Sequence, residues 1–344
     1  MTNVSLVGFG RIGRDLFRQT LGDKDINIVS ISDTADKKNL IYLLKYDSIY
    51  GKLNADIHET EKGIVVDDKE IIFNSWKGGN EADWEATATD VVILATGKPK
   101  TKEEVDIHLS KGCKKVIIAS TPENFKDIQI YVPGANDEYT DFNSDVFSLG
   151  SNTANAVAPI LKALNKDVGV ERAFLTTVHG YSNSNRLADV AGEGFRLNRA
   201  AGENIIPSIT KSSEVIVNVL PFLKNKIASS SMTVPIPDGS TVDLTIDITK
   251  ETTIEEINNL LKNYSENELK NIIGITYDPI VSSDVVRSTF SGLIDGLATM
   301  GINNKKIKLI IWFDNGWGYA SRIIDTIKRL SLIHISEPTR RPKI

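Results

Sequence analysis

Over the first half of the chain, apolar runs of strand length alternate with helical patterns of apolar and polar residues. Val91-Val-Ile-Leu-Ala95 is a continuous apolar run, which is typical of a strand buried on both faces. The same patterns predict strands at 3–7, 26–31 and 112–120, helices at 14–21, 40–46 and 102–111, and a hairpin at 64–73. Strands that alternate with helices predict an α/β domain with a parallel sheet.

The pattern changes after about residue 150. Ser240-Thr-Val-Asp-Leu-Thr-Ile-Asp-Ile248 alternates polar and apolar residues, which predicts an antiparallel strand with one face turned away from the core. Further strands are predicted at 172–179, 233–237 and 308–313, and helices at 154–164, 253–263, 266–271 and 320–330. The second half is therefore predicted to be an α+β domain with a mostly antiparallel sheet.

The composition is that of an ordinary soluble globular protein. The 344 residues are 41% hydrophobic and 25% charged, and they suffice for about two domains. The net charge of -5 does not indicate binding to nucleic acid, and no apolar run is long enough to span a membrane. Cys113 is the single cysteine, which excludes an internal disulfide and a cysteine-based metal site. No signal-peptide pattern is present, so the protein is predicted to be cytoplasmic.

The first predicted strand runs directly into Gly8-Phe9-Gly10-Arg11-Ile12-Gly13, and a helical pattern follows. This spacing, with Asp33 at the end of the next strand, is the dinucleotide fingerprint of a Rossmann domain. The glycines allow close backbone approach to a pyrophosphate, and Asp33 accepts the ribose hydroxyls. Because a carboxylate repels a 2′-phosphate, NAD is predicted rather than NADP. Thr96 and Gly97 end a central strand and are predicted to lie beside the cofactor. A glycine-rich turn without a ligand is the alternative.

A second stretch, from Ser148 to Leu161, changes from small polar residues to an apolar helical pattern. Ser151 or Thr153 is predicted to cap this helix, and a helix N-terminus favours a developing oxyanion or a thiolate. Asn152 stands at this position, and an amide is not a nucleophile. A simple helix cap is therefore the alternative interpretation.

Two further side chains are candidates for chemistry. His179 ends a predicted strand, and its ordinary pKa suits a general base, although a histidine at a strand end is more often structural. Cys113 has lysine neighbours, which favour a thiolate, but a single cysteine at the start of a strand is usually a packing residue.

Five segments of the chain resemble the phosphorylating glyceraldehyde-3-phosphate dehydrogenases in both sequence and order. They are Val4–Arg14, Leu43–Leu53, Thr176–Tyr181, Arg199–Pro207 and Trp312–Tyr319. The resemblance implies a Rossmann NAD-binding domain at 1–151 with a C-terminal helix at 316–330, a catalytic domain at 152–315, and a homotetramer acting on a small-molecule substrate.

The resemblance also implies roles for particular residues. Asp33 corresponds to the ribose-binding carboxylate, Asn315 resembles the residue that holds the nicotinamide carboxamide, and Tyr319 resembles the tyrosine beside the nicotinamide ring. The polar segment 183–204 resembles the loop that borders the cofactor of a neighbouring subunit.

The chain departs from the family where the nucleophile is expected. The family motif is Ser-Cys-Thr-Thr-Asn-Cys-Leu-Ala-Pro, whereas residues 151–159 read Ser-Asn-Thr-Ala-Asn-Ala-Val-Ala-Pro. Asn152 therefore replaces the attacking cysteine and Ala156 replaces the second one. The family reaction needs a thiolate that forms a thiohemiacetal and then a thioester, and Asn152 provides none.

The phosphate-binding positions also differ from the family. Leu197 and Thr233 stand where the family has arginines, and Lys211 stands where it has glycine. The residues retained as donors to a small anion are Ser151, Thr153, His179, Ser182 and Thr210. Lys211 restores one positive charge, although lysine does not reproduce the bidentate geometry of arginine.

Three functional hypotheses follow. The first is an NAD-dependent oxidoreductase acting on an aldehyde or related small substrate without a thioester. In it, His179 is a general base on an alcohol or aldehyde hydrate, and Asn152 donates a hydrogen bond to the reacting oxygen. The second is a catalytically inactive NAD-binding homologue with a regulatory or structural role. The third, an ordinary glycolytic dehydrogenase with a sequence error at position 152, is disfavoured because several linked positions also differ.

The last fourteen residues, 331–344, have no counterpart in the family. Their prolines and arginines predict that the C-terminal helix does not continue into them. We interpret this segment, with His334, as a non-native tail and assign it no function.

Overall fold

The computed structural model describes residues 1–76, 79–192 and 194–336, with side chains described as far as 332. The chain divides into two compact units. One unit comprises residues 1–131, 138–150 and the C-terminal residues from 320, and the other comprises 132–137 and 151–319. Within the described residues, no helix combines the length and the apolarity that crossing a membrane requires.

The first unit contains an eight-stranded sheet and the helices that alternate with its strands. Its elements are β1 Thr2–Val7, α1 Arg11–Thr20, β2 Ile26–Ser32, α2 Lys37–Lys45, β3 Tyr46–Asp47, β4 Gly51–Lys52, β5 Ile57–Glu59, β6 Gly63–Val66, β7 Lys69–Asn74, β8 Val91–Leu94, α3 Lys102–Ser110, β9 Lys115–Ile118 and β10 Val146–Ser148. The sheet order is β10-β9-β8-β1-β2-β7-β6-β5, while β3 and β4 form a separate ribbon. The first six strands in this order, from β10 through β9, β8, β1 and β2 to β7, each pair in parallel with the next.

This arrangement confirms the Rossmann domain predicted from the alternating pattern. All four residues of β8 are buried, as the continuous apolar run predicts for a central parallel strand. The hairpin at 64–73 is present as β6 and β7, and Asp67 at its turn has a left-handed backbone with φ of 53°. The order of strands reverses between β1 and β8, which is where a doubly wound sheet binds its ligand.

The second unit also contains an eight-stranded sheet. Its elements are α4 Asn152–Asp167, β11 Val170–Gly180, β12 Ile206–Ser208, α5 Ser212–Val219, β13 Ile227–Val234, β14 Ser240–Ile248, α6 Ile254–Glu266, β15 Ile273–Thr276, β16 Gly292–Asp295, β17 Met300–Ile302 and β18 Lys306–Phe313. The order is β12-β13-β11-β14-β18-β16-β15, with β17 paired to β18. Only β11–β13 and β15–β16 pair in parallel, so the sheet is mostly antiparallel, as predicted.

The core of the second unit lies between one face of this sheet and helix α4. Val242, Leu244 and Ile246 of β14 are fully buried, in agreement with the alternation seen in the sequence. Ten residues between Thr153 and Leu164 of α4 are at most 2% exposed, and Pro159 is also buried. The start of α4 is therefore fixed by packing as well as by its cap.

Several sequence predictions of this unit were wrong or incomplete. Strand β13 starts at Ile227 rather than at 233, because pairing with β11 and β12 makes a strand of a serine-rich segment with weak propensity. It ends before Pro235, which has no N–H for the ladder. No helix spans 266–271, since α6 ends at Glu266 and a turn follows. Helix α5 and strands β15 and β16 were not predicted.

The C-terminal helix is also longer than predicted. It forms α7, from Trp317 to Ser336, and so continues six residues into the segment that we interpreted as non-helical. Those six residues contain no proline, and the Ser331 hydroxyl donates to the Ile327 carbonyl and lies 2.5 Å from the Thr2 hydroxyl. The prediction for residues 337–344 lies outside the described residues.

The buried His108 of the first unit makes stability depend on pH. Its ring stacks on Trp84, with 5.8 Å between the ring centroids, and burial lowers its pKa to about 4. In the unfolded chain the pKa returns to about 6.5. The unfolded state therefore binds more protons between these values, and stability present above pH 6.5 is lost as the pH falls towards 4.

Because of His108, we expect the free energy of unfolding to be about 2 kcal/mol lower at pH 5 than at pH 7.5. Urea unfolding at these two pH values is the measurement, with His108→Gln as the variant and the exposed His58→Gln as the control. Glutamine is uncharged at both pH values, so His108→Gln should lose correspondingly less stability on acidification. An unchanged pH dependence in His108→Gln would contradict this expectation.

Candidate cofactor and catalytic sites

The residues of the glycine fingerprint lie at the carboxyl edge of the first sheet, where β1 leads into α1. Gly8 has φ of 95°, and a Cβ atom on it would lie 2.7 Å from the carbonyl carbon of Ala95. A Cβ atom on Gly13 would lie 2.3 Å from the carbonyl oxygen of Gly8. Gly8 is therefore required by its positive φ and by the close approach of the backbone that follows β8, and Gly13 by the close crossing of β1 and α1.

Gly10 has a different environment. A Cβ atom there would meet nothing within 4 Å, and Gly10 is the N-cap of α1 without a side-chain hydrogen bond. The first turn of α1, which includes Arg11 and Ile12, carries no acidic side chain. An uncapped helix N-terminus beside open space fits the pyrophosphate of a dinucleotide.

Asp33 follows β2 at the same edge of the sheet. Its Oδ2 accepts the Phe9 N–H at 2.6 Å and its Oδ1 accepts the Ala35 N–H at 2.9 Å. Each carboxylate oxygen has a second lone pair, so ribose hydroxyls can still donate to it. Thr96 and Gly97 follow β8 and are exposed, and Gly97 has φ of 71°. All nine residues of the first unit that were predicted to bind the cofactor, 8–13, 33, 96 and 97, thus lie at the carboxyl edge of its sheet.

The start of α4 is organised by Ser151 and Asn152. The Ser151 hydroxyl accepts the Ala154 N–H at 3.1 Å, so Ser151 is the N-cap, and Thr153 is a buried helical residue. The Asn152 amide donates from Nδ2 to the Asn315 carbonyl at 3.1 Å, and its Oδ1 accepts the Thr153 N–H at 2.8 Å. One N–H of the Asn152 amide remains for another acceptor.

His179 is the next-to-last residue of β11, and its Nδ1 lies 3.2 Å from the Ser240 hydroxyl. That hydroxyl also accepts the Gly180 N–H at 3.3 Å. The ring meets Phe313 edge-on at 6.0 Å between centroids. Burial lowers the pKa of His179 to about 4, while the nearby Asp238 raises it in part. His179 is therefore neutral at pH 7 and has one ring nitrogen directed at Ser240.

Asn315 lies directly after β18 and Asp314. Its N–H donates to Asp238 Oδ1 at 3.2 Å, and it is 8% exposed. Its side-chain Oδ1 is buried and, within the described part of the chain, has no hydrogen-bond partner. A buried acceptor without a protein partner fits the amide N–H of a nicotinamide. Tyr319 is buried near the start of α7, and this burial raises the pKa of its hydroxyl.

The predicted phosphate-binding residues lie in three segments of the second unit. Ser151 and Thr153 flank Asn152 at the start of α4, Ser182 follows β11, and Thr210 and Lys211 precede α5. The side chain of Ser182 bonds to Ser184 and Asn185, and that of Thr210 bonds to Ser212. These hydrogen bonds are local, so they do not join the segments.

Thr233, which the resemblance places at a family arginine position, lies directly beside His179, because the two residues are register partners on β13 and β11. It is 7% exposed, and its hydroxyl lies 3.5 Å from the Ser208 hydroxyl. Leu197 and Lys211 are exposed. The register partner of His179 on β13 is thus a neutral hydroxyl, where the resemblance implies a cation in the family.

Cys113 is not available as a nucleophile. It is 6% exposed within an apolar cluster of the first unit, and burial raises the pKa of its thiol to about 12. Its Sγ donates to the His108 carbonyl at 3.3 Å. The interpretation of Cys113 as a packing residue agrees with this environment.

Sequence reasoning missed Ser240 and Asp238, which lie next to His179. The sequence signal was a Pro237-Asp-Gly239 turn between two strands, which gives no indication of what the carboxylate faces. The antiparallel pairing of β11 with β14 brings this turn to His179.

Comparisons with known proteins agree with the two halves of the chain. The family model described as glyceraldehyde 3-phosphate dehydrogenase, NAD binding domain, matches residues 2–102. The model described as glyceraldehyde 3-phosphate dehydrogenase, C-terminal domain, matches residues 151–315.

Similar curated proteins cover almost the whole chain. Glyceraldehyde-3-phosphate dehydrogenase of Geobacillus stearothermophilus is 40% identical over 322 residues, which are 94% of this chain and 96% of that protein. The protein of the same name from Thermotoga maritima is 40% identical over 332 residues, covering 96% and 99%. Glyceraldehyde-3-phosphate dehydrogenase 1 of Bacillus cereus is 38% identical over 325 residues, covering 94% and 97%.

Proposed function

Because this chain belongs to the glyceraldehyde-3-phosphate dehydrogenase family and has its NAD-binding domain, we propose an NAD-dependent oxidoreductase that forms no thioester. Its substrate is a small alcohol or the hydrate of a small aldehyde. The observation that carries this proposal is the environment of Asn152, a hydrogen-bonded amide at the N-terminus of α4, where the family reaction needs a thiolate.

In this reaction His179 is the general base. With the Nδ1 proton donated to the Ser240 hydroxyl, Nε2 is the nitrogen that accepts a proton, and burial keeps the ring neutral at pH 7. His179 takes the proton of the substrate hydroxyl as the C–H hydride leaves, so that a hydrate yields a carboxylic acid. Bound NAD supplies the hydride acceptor. The free N–H of Asn152 donates to the reacting oxygen.

Turnover by the purified protein tests the proposal. NAD is supplied with a panel of small aldehydes and alcohols that lack phosphate, and NADH is followed by absorbance. We expect NADH formation with at least one substrate and no stimulation by inorganic phosphate, since no acyl-enzyme awaits phosphorolysis. NAD binding without turnover on any of them would favour the second hypothesis, an inactive NAD-binding homologue.

Asp33 is proposed to select NAD over NADP. In Asp33→Ala, two charge-assisted hydrogen bonds to the ribose are lost, so NAD affinity should fall by about a hundredfold or more. NADP affinity should rise, because the carboxylate no longer repels the 2′-phosphate. Asp33→Asn retains an acceptor for the Phe9 N–H, so a rise in NADP affinity there reflects charge alone.

Calorimetric titration with both dinucleotides measures these affinities. The exposed Asp68→Ala, which also removes one carboxylate from the first unit, is the matched control and should leave both affinities unchanged. Tighter binding of NADP than of NAD by the unmutated protein would overturn the assignment.

A homotetramer is proposed for the assembly. Segment 183–204 exposes large apolar side chains, among them Leu187 and Phe195, which are 86% and 96% exposed. Phe174 and Met232 are exposed on neighbouring strands β11 and β13. Apolar surface of this kind favours association of subunits. Light scattering at micromolar concentration should report four chains, and a mass of one chain would contradict the proposal.

A further inference from the structure

The turn between β13 and β14 is fixed against the end of β11. Gly239 in this turn has φ of 82°, and a Cβ atom on it would lie 2.0 Å from the Ser282 carbonyl oxygen. The Tyr181 N–H donates to the Ile236 carbonyl at 2.9 Å. A Cβ atom on Gly180 would lie 3.1 Å from the Asp238 backbone nitrogen. Asp238 therefore packs against the residue that follows His179.

The Asp238 side chain is held inside the unit. It is 3% exposed, and its Oδ1 accepts the N–H of Asn315 at 3.2 Å. Ser240, two residues further along the chain, lies 3.2 Å from Nδ1 of His179. One short segment thus contacts both the general base and the backbone of the residue assigned to the nicotinamide.

Three titratable side chains come together here, namely His179 on β11, Asp238 on the turn and Asp314 after β18. The Asp314 carboxylate accepts the backbone N–H groups of Arg287, Gly316 and Trp317. Burial and the neighbouring Asp238 raise the pKa of Asp314 to about 6. Asp238 likewise raises the pKa of His179, in opposition to the effect of burial. Its carboxylate therefore acts on the imidazole through space.

We propose that Asp238 is a positioning residue whose carboxylate stabilises protonated His179 and holds the backbone at Asn315. The inference rests on the proposed function, in which His179 takes a proton from the substrate. In a thiol enzyme, the thiolate supplies the negative charge beside an imidazolium. Asn152 is uncharged, so the buried carboxylate of Asp238 supplies that charge through space, while Ser240 bonds to Nδ1 of the ring.

The experiment measures the pKa of His179 directly and does not require turnover. Imidazole ¹⁵N shifts of the labelled full-length protein are followed from pH 8 to pH 2.5, so that the range brackets the His179 pKa of about 4 and its expected fall, with His179→Gln used to assign the signal. In Asp238→Asn the amide oxygen still accepts the Asn315 N–H while the charge is lost. We expect the pKa of His179 to fall by about one pH unit in this variant, which is a tenfold weaker base.

Asp238→Glu should retain the pKa of the unmutated protein, and Asp278→Asn, which removes an exposed carboxylate of the same unit, should leave it unchanged. Asp238→Ser is a second neutral variant in case Asp238→Asn does not fold, and it should lower the pKa in the same way. An unchanged His179 pKa in the folded neutral variant would overturn the proposal.

Kinetics provide a second readout where turnover is found. Asp238→Asn should lower kcat about tenfold and leave the Kd of NAD within about twofold, because the contact to Asn315 is preserved. A loss confined to NAD affinity would contradict a role at His179. If no substrate turns over, the proposed function fails, whereas the NMR titration still decides the role of Asp238.

Discussion

Given glyceraldehyde 3-phosphate, NAD and inorganic phosphate, the purified protein is expected to form no NADH above background. The lone pair of the Asn152 amide nitrogen is delocalised, and both ends of that amide bond to backbone groups. Cys113 is buried in the core of the first unit, with a thiol pKa of about 12, and does not replace it. Without a thiolate the family reaction has no covalent intermediate.

Restoring the thiol alone is expected to recover little of this activity. In Asn152→Cys the new thiol stands at the N-terminus of α4, so iodoacetamide should label it readily. The substrate phosphate still lacks the cations that the family has at Leu197 and Thr233. Each lost charge-assisted hydrogen bond costs about 1.5–3 kcal/mol, so two losses weaken binding on the order of a hundredfold or more.

The comparison of single and combined variants separates the effect of the missing thiol from the effect of the missing phosphate-binding cations. Asn152→Cys together with Leu197→Arg, Thr233→Arg and Lys211→Gly should exceed Asn152→Cys alone by at least a hundredfold in kcat/KM. Equal activities would show that the phosphate positions are not limiting. Turnover of several per second by the unmutated protein would mean that our interpretation of Asn152 is wrong, with Thr153 as the next nucleophile to test.

The second large effect is expected at His179. Removing a general base costs about a hundredfold to ten-thousandfold in rate, and His179→Gln should lose kcat within that range on the substrate found by screening. The Kd of NAD should change little, since this side chain is assigned to proton transfer. His58→Gln removes an exposed histidine of the first unit and serves as the control.

The pH profile gives this prediction a second test. Because the pKa of His179 is about 4, kcat should remain high at pH 7 and fall as the pH approaches that value. The His179→Gln variant should lack this acid limb. Full activity in His179→Gln would exclude the proposed base and direct attention to other groups near Asn152.

The geometry of the cofactor-binding half of the protein is determined by residues that lie close together in the sequence. A strand, a glycine turn and a helix are consecutive in the chain, so the spacing of Gly8, Gly10 and Gly13 predicts their geometry without reference to distant residues. The cap at Ser151 is equally local, since a hydroxyl reaches an N–H three residues away. Apolar runs and alternation likewise identified β8 and β14, whose burial depends on their own pattern.

Long-range pairing decided what the sequence could not. Strand β13 exists because β11 and β12 flank its serine-rich residues, and the sequence pattern alone predicted only its end. The environment of His179 depends in the same way on β14, which places Ser240 and the turn containing Asp238 beside a residue about sixty positions earlier. Hydrophobic periodicity records which face of an element is buried, but it does not record which element covers that face. The residue types at Asn152 and His179 were therefore evident from the sequence, whereas the carboxylate that acts on His179 was decided by the tertiary structure.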